Sequence, residues 1–172
     1  DTQKVYWYED KAYSAGAWGY DSSSNTGSGD SAVSGTEDDE LYRTLRWAYA
    51  TFGYKFDVPN GSYRVRLLFV EPTFTQTGKR SFDVQIEGQT VLSGLDLYAV
   101  AGHDSAYSRT FTATVGDGQL HVRFVKKVEN PLVSGIEVVS LAAAAPTATR
   151  TAVATATQSR TPTRTHTVAA TA

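Results

Sequence analysis

The chain has 172 residues, and its 18 Asp and Glu against 16 Lys and Arg leave a net charge of −2. The lack of Cys excludes a disulfide scaffold, a thiolate zinc site and a cysteine nucleophile. No apolar run approaches the roughly 18 residues that predict a membrane span, and the near-neutral charge argues against a nucleic-acid surface. The length suits one domain, and the absence of Met predicts a chain already processed or trimmed at its N-terminus.

The first 50 residues carry Tyr6, Trp7, Tyr8, Tyr13, Trp18, Tyr20, Tyr42, Trp47 and Tyr49 around a polar loop, Ser22-Ser23-Ser24-Asn25-Thr26-Gly27-Ser28-Gly29. Most of these rings are expected in the core. Trp and Tyr carry a polar handle and resist complete burial, so some should reach the surface and offer a flat face to a sugar. Glu37-Asp38-Asp39-Glu40 is an acidic run. It reads as a solvated loop, with a structural calcium ion as the alternative, although the EF-hand spacing is missing.

From Phe52 onward, period-two alternation predicts strands. Phe52 to Val58 alternates, and Pro59-Asn60-Gly61-Ser62 turns the chain. Asn60-Gly61-Ser62 also fits a glycosylation acceptor, though a turn after Pro59 is the simpler reading. Val65 to Phe69 and Phe82 to Ile86 follow, and Gly88 leads into Thr90-Val91-Leu92. Phe111 to Val115 runs into Gly116-Asp117-Gly118, a hairpin signal, and Leu120 to Phe124 returns. Val133, Ile136 and Val138 close the set, with Gly135 as a bulge. No stretch sustains helical periodicity. The fold class is all-β: a jelly-roll-like β-sandwich of two antiparallel sheets over residues 1–141.

Residues 142–172 differ. Of these 31 positions, 11 are Ala and 10 are Thr, with no aromatic and no acid. Too little apolar bulk offsets the entropy of ordering, so the segment is expected to be a disordered Thr/Pro linker to a second module. All 18 acids and 13 of the 16 basic residues lie in the body, leaving it at −5 and the tail at +3.

Catalytic patterns are sparse. His103 lies near Asp96 and Asp104, a fragment of a triad or metal pair. Yet Gly-x-Ser-x-Gly, His-Glu-x-x-His, Walker and dinucleotide motifs are absent. His121 falls on the polar face of a strand, and His166 lies in the tail. Glu71 and Glu129 are the only carboxylates to check as a hydrolase pair.

Several segments together resemble the malectin-like family of carbohydrate-binding modules. Leu41-Tyr42-Arg43-Thr44-Leu45-Arg46-Trp47 with Phe52-Gly53-Tyr54-Lys55-Phe56 is similar to the family's "LYxTxRxxxxxFxYxF". Pro59-Asn60-Gly61-Ser62-Tyr63-Arg64-Val65-Arg66-Leu67 resembles its "PxGxYxVxL", and Phe69-Val70-Glu71 its Phe-Ala-Glu. Gly78-Lys79-Arg80-Ser81-Phe82-Asp83-Val84 resembles "GxRxFDV". Leu95-Asp96-Leu97 with Ala101-Gly102-His103, then Asp117-Gly118-Gln119-Leu120 and Gly135-Ile136-Glu137-Val138, complete the order. The resemblance covers residues 5–140. The family usually opens with a short strand ending in "N-x-G-G", ahead of the positions matched by Trp7 and Asp10. This chain starts too late to hold all of it, so the strand is trimmed or that edge is built differently. A missing edge strand would expose backbone groups.

The resemblance implies a non-catalytic, lectin-like domain whose loops hold a glucose-containing oligosaccharide between aromatic rings. By position, the implied site residues are Trp47, Thr73, Phe74, Glu129 and Asn130, with Tyr20 or Trp18 as the remaining loop aromatic. Thr73 stands where animal members carry Tyr, and Glu129 where they carry Asp. No cofactor is implied. The expected partners are an oligosaccharide or polysaccharide and an appended catalytic or anchoring domain, in a secreted or cell-surface protein of bacterial extracellular type. The alternative is a structural or adhesive module that binds protein without sugar.

Overall fold

The computed structural model describes residues 7–141 and the backbone of residues 167–171. In chain order the elements are β1 (Trp18–Tyr20), β2 (Asn25–Ser28), α1 (Asp39–Arg43), β3 (Thr44–Trp47), β4 (Phe52–Asp57), β5 (Gly61–Phe69), β6 (Ser81–Ile86), β7 (Gln89–Leu95), α2 (Leu97–Ala101), β8 (Tyr107–Val115), β9 (Gln119–Val128), β10 (Leu132–Val133), β11 (Gly135–Ser140) and β12 (Thr167–Thr171). Two antiparallel sheets form the sandwich, ordered β1-β4-β9-β6-β7 and β12-β11-β5-β8. Alternation along β4, β6 and β9 turns Phe52, Tyr54, Phe56, Phe82, Val84, Val122 and Phe124 inward, all at most 1% exposed. Phe69 of β5 meets Phe82 and Phe124 of the facing sheet with ring centroids 6.1 and 6.2 Å apart. Each such buried ring contributes about 1.5–3 kcal/mol.

The connections are less local than the turn signals suggest. Gly116-Asp117-Gly118 does not close a hairpin. It carries the chain from β8 in one sheet to β9 in the other, because β8 pairs with β5 and β9 with β4 and β6. The turn after Pro59 likewise crosses between sheets. The Asn60 side chain braces both crossings, donating to the Gly116 carbonyl at 2.9 Å and accepting from the Gly118 amide at 2.8 Å. A two-residue turn, Glu87-Gly88, with positive φ at both positions, joins the neighbours β6 and β7.

A third sheet, ordered β10-β3-β2, caps one end of the sandwich. Its strands of two to four residues are too short to show alternation. Gly135 pairs in register with Leu68, so the irregularity lies one residue earlier, where Ser134 passes the chain from β10 to β11. Of the expected linker, residues 142–172, positions 142–166 and 172 lie outside the described residues. Over the remaining positions, however, β12 pairs antiparallel with β11, Gly135 opposite Thr171. The β-branched Thr and Val of this segment suit a strand, and β11 offers it an edge.

Candidate functional site

The site is built at the end of β5. Four consecutive apolar residues, Leu67 to Val70, bury the chain up to Glu71, whose side chain has no exposed surface. A carboxylate cannot be buried alone. Arg80, 7% exposed in its side chain, meets it with two hydrogen bonds: Nε to Oε2 at 2.6 Å and Nη2 to Oε1 at 3.2 Å. Oε1 also accepts the backbone amides of Thr73 and Phe74, at 3.0 and 3.1 Å. The third arm of the guanidinium donates to the Asn130 carbonyl. One ion pair therefore fixes both the loop after β5 and the loop between β9 and β10.

Between those loops and the third sheet lies a cavity of about 340 Å³. This is at the small end of the roughly 300–1,000 Å³ range of ligand clefts. Trp47, Thr73, Phe74, Glu129 and Asn130 all line it, with Gly27, Ser28, Leu45, Pro72 and Leu132. Trp47 ends β3 and sets its indole edge-on to Tyr49, with centroids 4.9 Å apart and planes at 81°. Gly27 on β2, opposite Leu45, lets the two strands' side chains sit close, since a Cβ there would stand 3.3 Å from Leu45 Cδ1 and 3.4 Å from Trp47 Nε1. Phe74 is half-buried, with the Arg80 guanidinium 5.0 Å from its ring centre. Glu129 is exposed and sits in the left-handed region at φ 55°. That conformation costs a non-glycine residue about 1–2 kcal/mol, a strain that recurs at functional sites. Asn130 accepts from Lys126 Nζ at 3.3 Å.

Trp18 and Tyr20 lie elsewhere. Trp18 packs its ring on Phe56, with planes 16° apart, under the ammonium of Lys11. Tyr20 is covered by the Arg46 guanidinium, 3.6 Å from its ring centre. Arg46 is itself buried and paired with Asp10, which also accepts from the Tyr54 hydroxyl at 3.0 Å. Burial pushes Asp10 above the ordinary carboxylate value, with the Arg46 and Tyr54 contacts opposing it, and burial pushes the Tyr54 phenol well up. Neither Trp18 nor Tyr20 lines the cavity.

The remaining candidates do not converge on it. Glu71 is consumed by Arg80 and does not line the cavity, which leaves Glu129 as the one carboxylate among its described lining residues. His103 pairs with Asp104 at 3.0 Å, while Ser105 Oγ is held by Ser34 Oγ and the His103 carbonyl. In the acidic run, Asp39 pairs with Arg43 and accepts the Val33 amide at 2.5 Å. Among the described residues, no three His, Asp or Glu side chains gather as a metal set. The parts missed by sequence reasoning are Arg80, Gly27 and the role of Glu71. An acid placed directly after the unbroken apolar run Leu67 to Val70 was the available signal, since a buried acid demands a buried cation.

The sequence profile of the malectin domain matches residues 1–138. The chain belongs to the malectin domain family. This malectin domain is 36% identical over 88 residues to malectin of Mus musculus, an alignment covering 51% of this chain and 30% of that protein. It is 34% identical over 91 residues to malectin of Homo sapiens, covering 52% and 31%. The match thus spans about a third of the length of these relatives. Among solved structures, it is similar to a beta-glucuronidase of Bacteroides uniformis, at TM-score 0.70 and 28% identity over 77% of this chain and 15% of that one. The extracellular domain of ANXUR2 from Arabidopsis thaliana, at TM-score 0.62 and 15% identity over 72% of this chain and 41% of that one, shares the fold.

Proposed function

We propose that this malectin domain is a non-catalytic carbohydrate-binding module that holds a gluco-oligosaccharide or related glycan in the cavity beside Trp47 and Phe74. The observation that carries the reading is that one cavity gathers the rings of Trp47 and Phe74 with Thr73, Glu129 and Asn130. A pyranose has an apolar C–H face and a rim of hydroxyls. The rings take the face, and the hydroxyl, carboxylate and amide take the rim. Both halves are required, because a buried hydroxyl without a partner costs about 1–3 kcal/mol.

A single carboxylate supports binding without hydrolysis, since glycoside cleavage uses a pair. The reading needs no cofactor. Its partner in the parent protein is an appended catalytic or anchoring domain, and its setting is the cell surface or the secreted space of a bacterium. The similarity to a small part of a much larger beta-glucuronidase chain supports the appended partner. Calorimetric titration with cello- and malto-oligosaccharides tests the binding. The expected result is saturable uptake that Phe74→Ala weakens by about 2–12-fold, for a loss of about 0.5–1.5 kcal/mol of stacking. No binding across a broad glycan array, with a protein ligand found instead, would favour the adhesive reading.

A further inference from the structure

β2 is the last described strand of its sheet, beyond β3. A second hollow, of about 650 Å³, lies on the other side of it. Gly27 and Ser28 line both hollows, so the two meet over this strand. The outer one is walled by Trp7, Tyr8, Glu9 and Thr44. Tyr8 leaves 51% of its surface to solvent although its ring rests against Trp18, at 6.5 Å between centroids. Such a ring is a platform supported from below and open above.

The backbone of β2 adds polar groups between the platforms. The Gly29 amide bonds the Arg43 carbonyl at 2.9 Å. In an antiparallel ladder this makes residues 25 and 27 face β3 with their amides and carbonyls, and turns those of Thr26 and Ser28 toward the edge. Both residues are exposed and both line the outer hollow. A sugar passing over β2 therefore meets amides, carbonyls and two hydroxyls between the inner rings and the outer ones.

The charge selects the occupant further. Asp10 and Asp39 are paired with Arg46 and Arg43. Among the described residues, Glu9, Glu37, Asp38 and Glu40 have no ion-pair partner, and they line the outer hollow or the hollow next to it, which shares Trp7 and Thr44. These four acids outnumber the described lysine beside the platform, Lys11 over Trp18, so a polyanion is repelled there.

The geometry points to an extended groove that wraps β2 and carries an uncharged glycan chain, with Trp7 and Tyr8 as an outer aromatic subsite. This rests on the sugar-binding reading of the inner cavity and adds chain length and charge to it. The test is calorimetric titration of the whole chain with cello- and malto-oligosaccharides of two to six units and with oligoglucuronate of matched length. Tyr8→Ala, which removes a largely exposed ring, and Trp7→Ala are compared with the parent, and circular dichroism checks their folding. Affinity should rise by roughly tenfold or more from the shortest to the longest neutral chain. Tyr8→Ala should erase most of that rise and leave the disaccharide affinity within about twofold. Oligoglucuronate should bind more weakly at low salt, by a margin that narrows as salt screens the acids. Disaccharide binding with no length dependence, or a rise untouched by Tyr8→Ala, overturns the groove and leaves the sugar reading standing. Equal binding of oligoglucuronate overturns the choice of an uncharged chain. No binding of any of these glycans overturns both.

Discussion

Glu71 offers the sharpest perturbation. Its carboxylate has no exposed surface and takes four hydrogen bonds, two from Arg80 and one each from the amides of Thr73 and Phe74. Glu71→Ala strands a guanidinium that is itself buried. Breaking such a pair costs about 3–5 kcal/mol, against a total stability of about 5–15 kcal/mol for a domain. At roughly 3–4 °C per kcal/mol for this size, the melting temperature should drop by about 10–20 °C. Urea unfolding supplies the free energy and calorimetry the sugar affinity. The double variant Glu71→Leu with Arg80→Met separates the two effects. Apolar replacement of a buried pair is often neutral or stabilising, so most of the stability should return. The affinity should not, because the Thr73 and Phe74 amides and the Asn130 carbonyl still lack the groups that fix the loops. A Glu71→Ala loss under about 1 kcal/mol, or full sugar binding in the double variant, would refute the reasoning.

Glu129→Gly should keep the fold as stable as the parent or up to about 1 kcal/mol more so, because relief of the positive φ outweighs or balances the added chain entropy. The same variant should lose sugar affinity, and a thermal melt read beside a titration checks both. Gly19→Ala should destabilise the protein. A Cβ there would stand 2.4–2.5 Å from the backbone of Lys11, Ala12 and Tyr13, which leads back to Trp7 and Tyr8. Intact urea midpoints in this variant would contradict the close approach. Stability should also fall in acid. The Gln119 bond and the Gly16 amide hold Asp57 below its ordinary value of 3.8, Lys127 and the Gly94 amide do so for Asp83, and the Val33 amide and Arg43 for Asp39. Their contribution is complete above that ordinary value and is lost as pH falls through the lowered ones. Asp10, raised by burial, works the other way, contributing fully below 3.8 and losing that contribution as pH rises through its raised value. Urea midpoints between pH 2 and 6 should therefore decline toward low pH, and Asp57→Asn should flatten part of the slope; a flat parent profile would contradict these shifts.

Alternation made the long strands readable, since one face of each must be apolar in a sandwich. Phe52 to Asp57 and Ser81 to Ile86 fall where the pattern puts them. Topology was not readable, because a Gly-Asp-Gly turn looks the same whether it joins paired strands or crosses between sheets. β2, β3 and β10 were hidden by their shortness, and the two five-residue helices by the same cause. At the candidate site, the family resemblance named Trp47, Thr73, Phe74, Glu129 and Asn130 by position, and the fold brings these five to one cavity. Tyr20 or Trp18 was the expected remaining loop aromatic, but the sequence carries no sign that Arg46 would settle on the Tyr20 ring. Glu71 and Arg80 stand nine positions apart and meet only because the loop between them folds back.

The pairing of β11 with β5 has a mechanical consequence. The cavity sits where β5 ends and β11 begins, whereas Leu141 leaves β11 at the far end, its amide on the Ser62 carbonyl at 2.8 Å. With β12 peeled from β11, tension between the cavity and the backbone at Leu141 therefore runs lengthwise along both strands. The load falls in shear on all six residue pairs from Gly135 opposite Leu68 to Ser140 opposite Tyr63. Bonds loaded together resist rupture better than bonds peeled one after another.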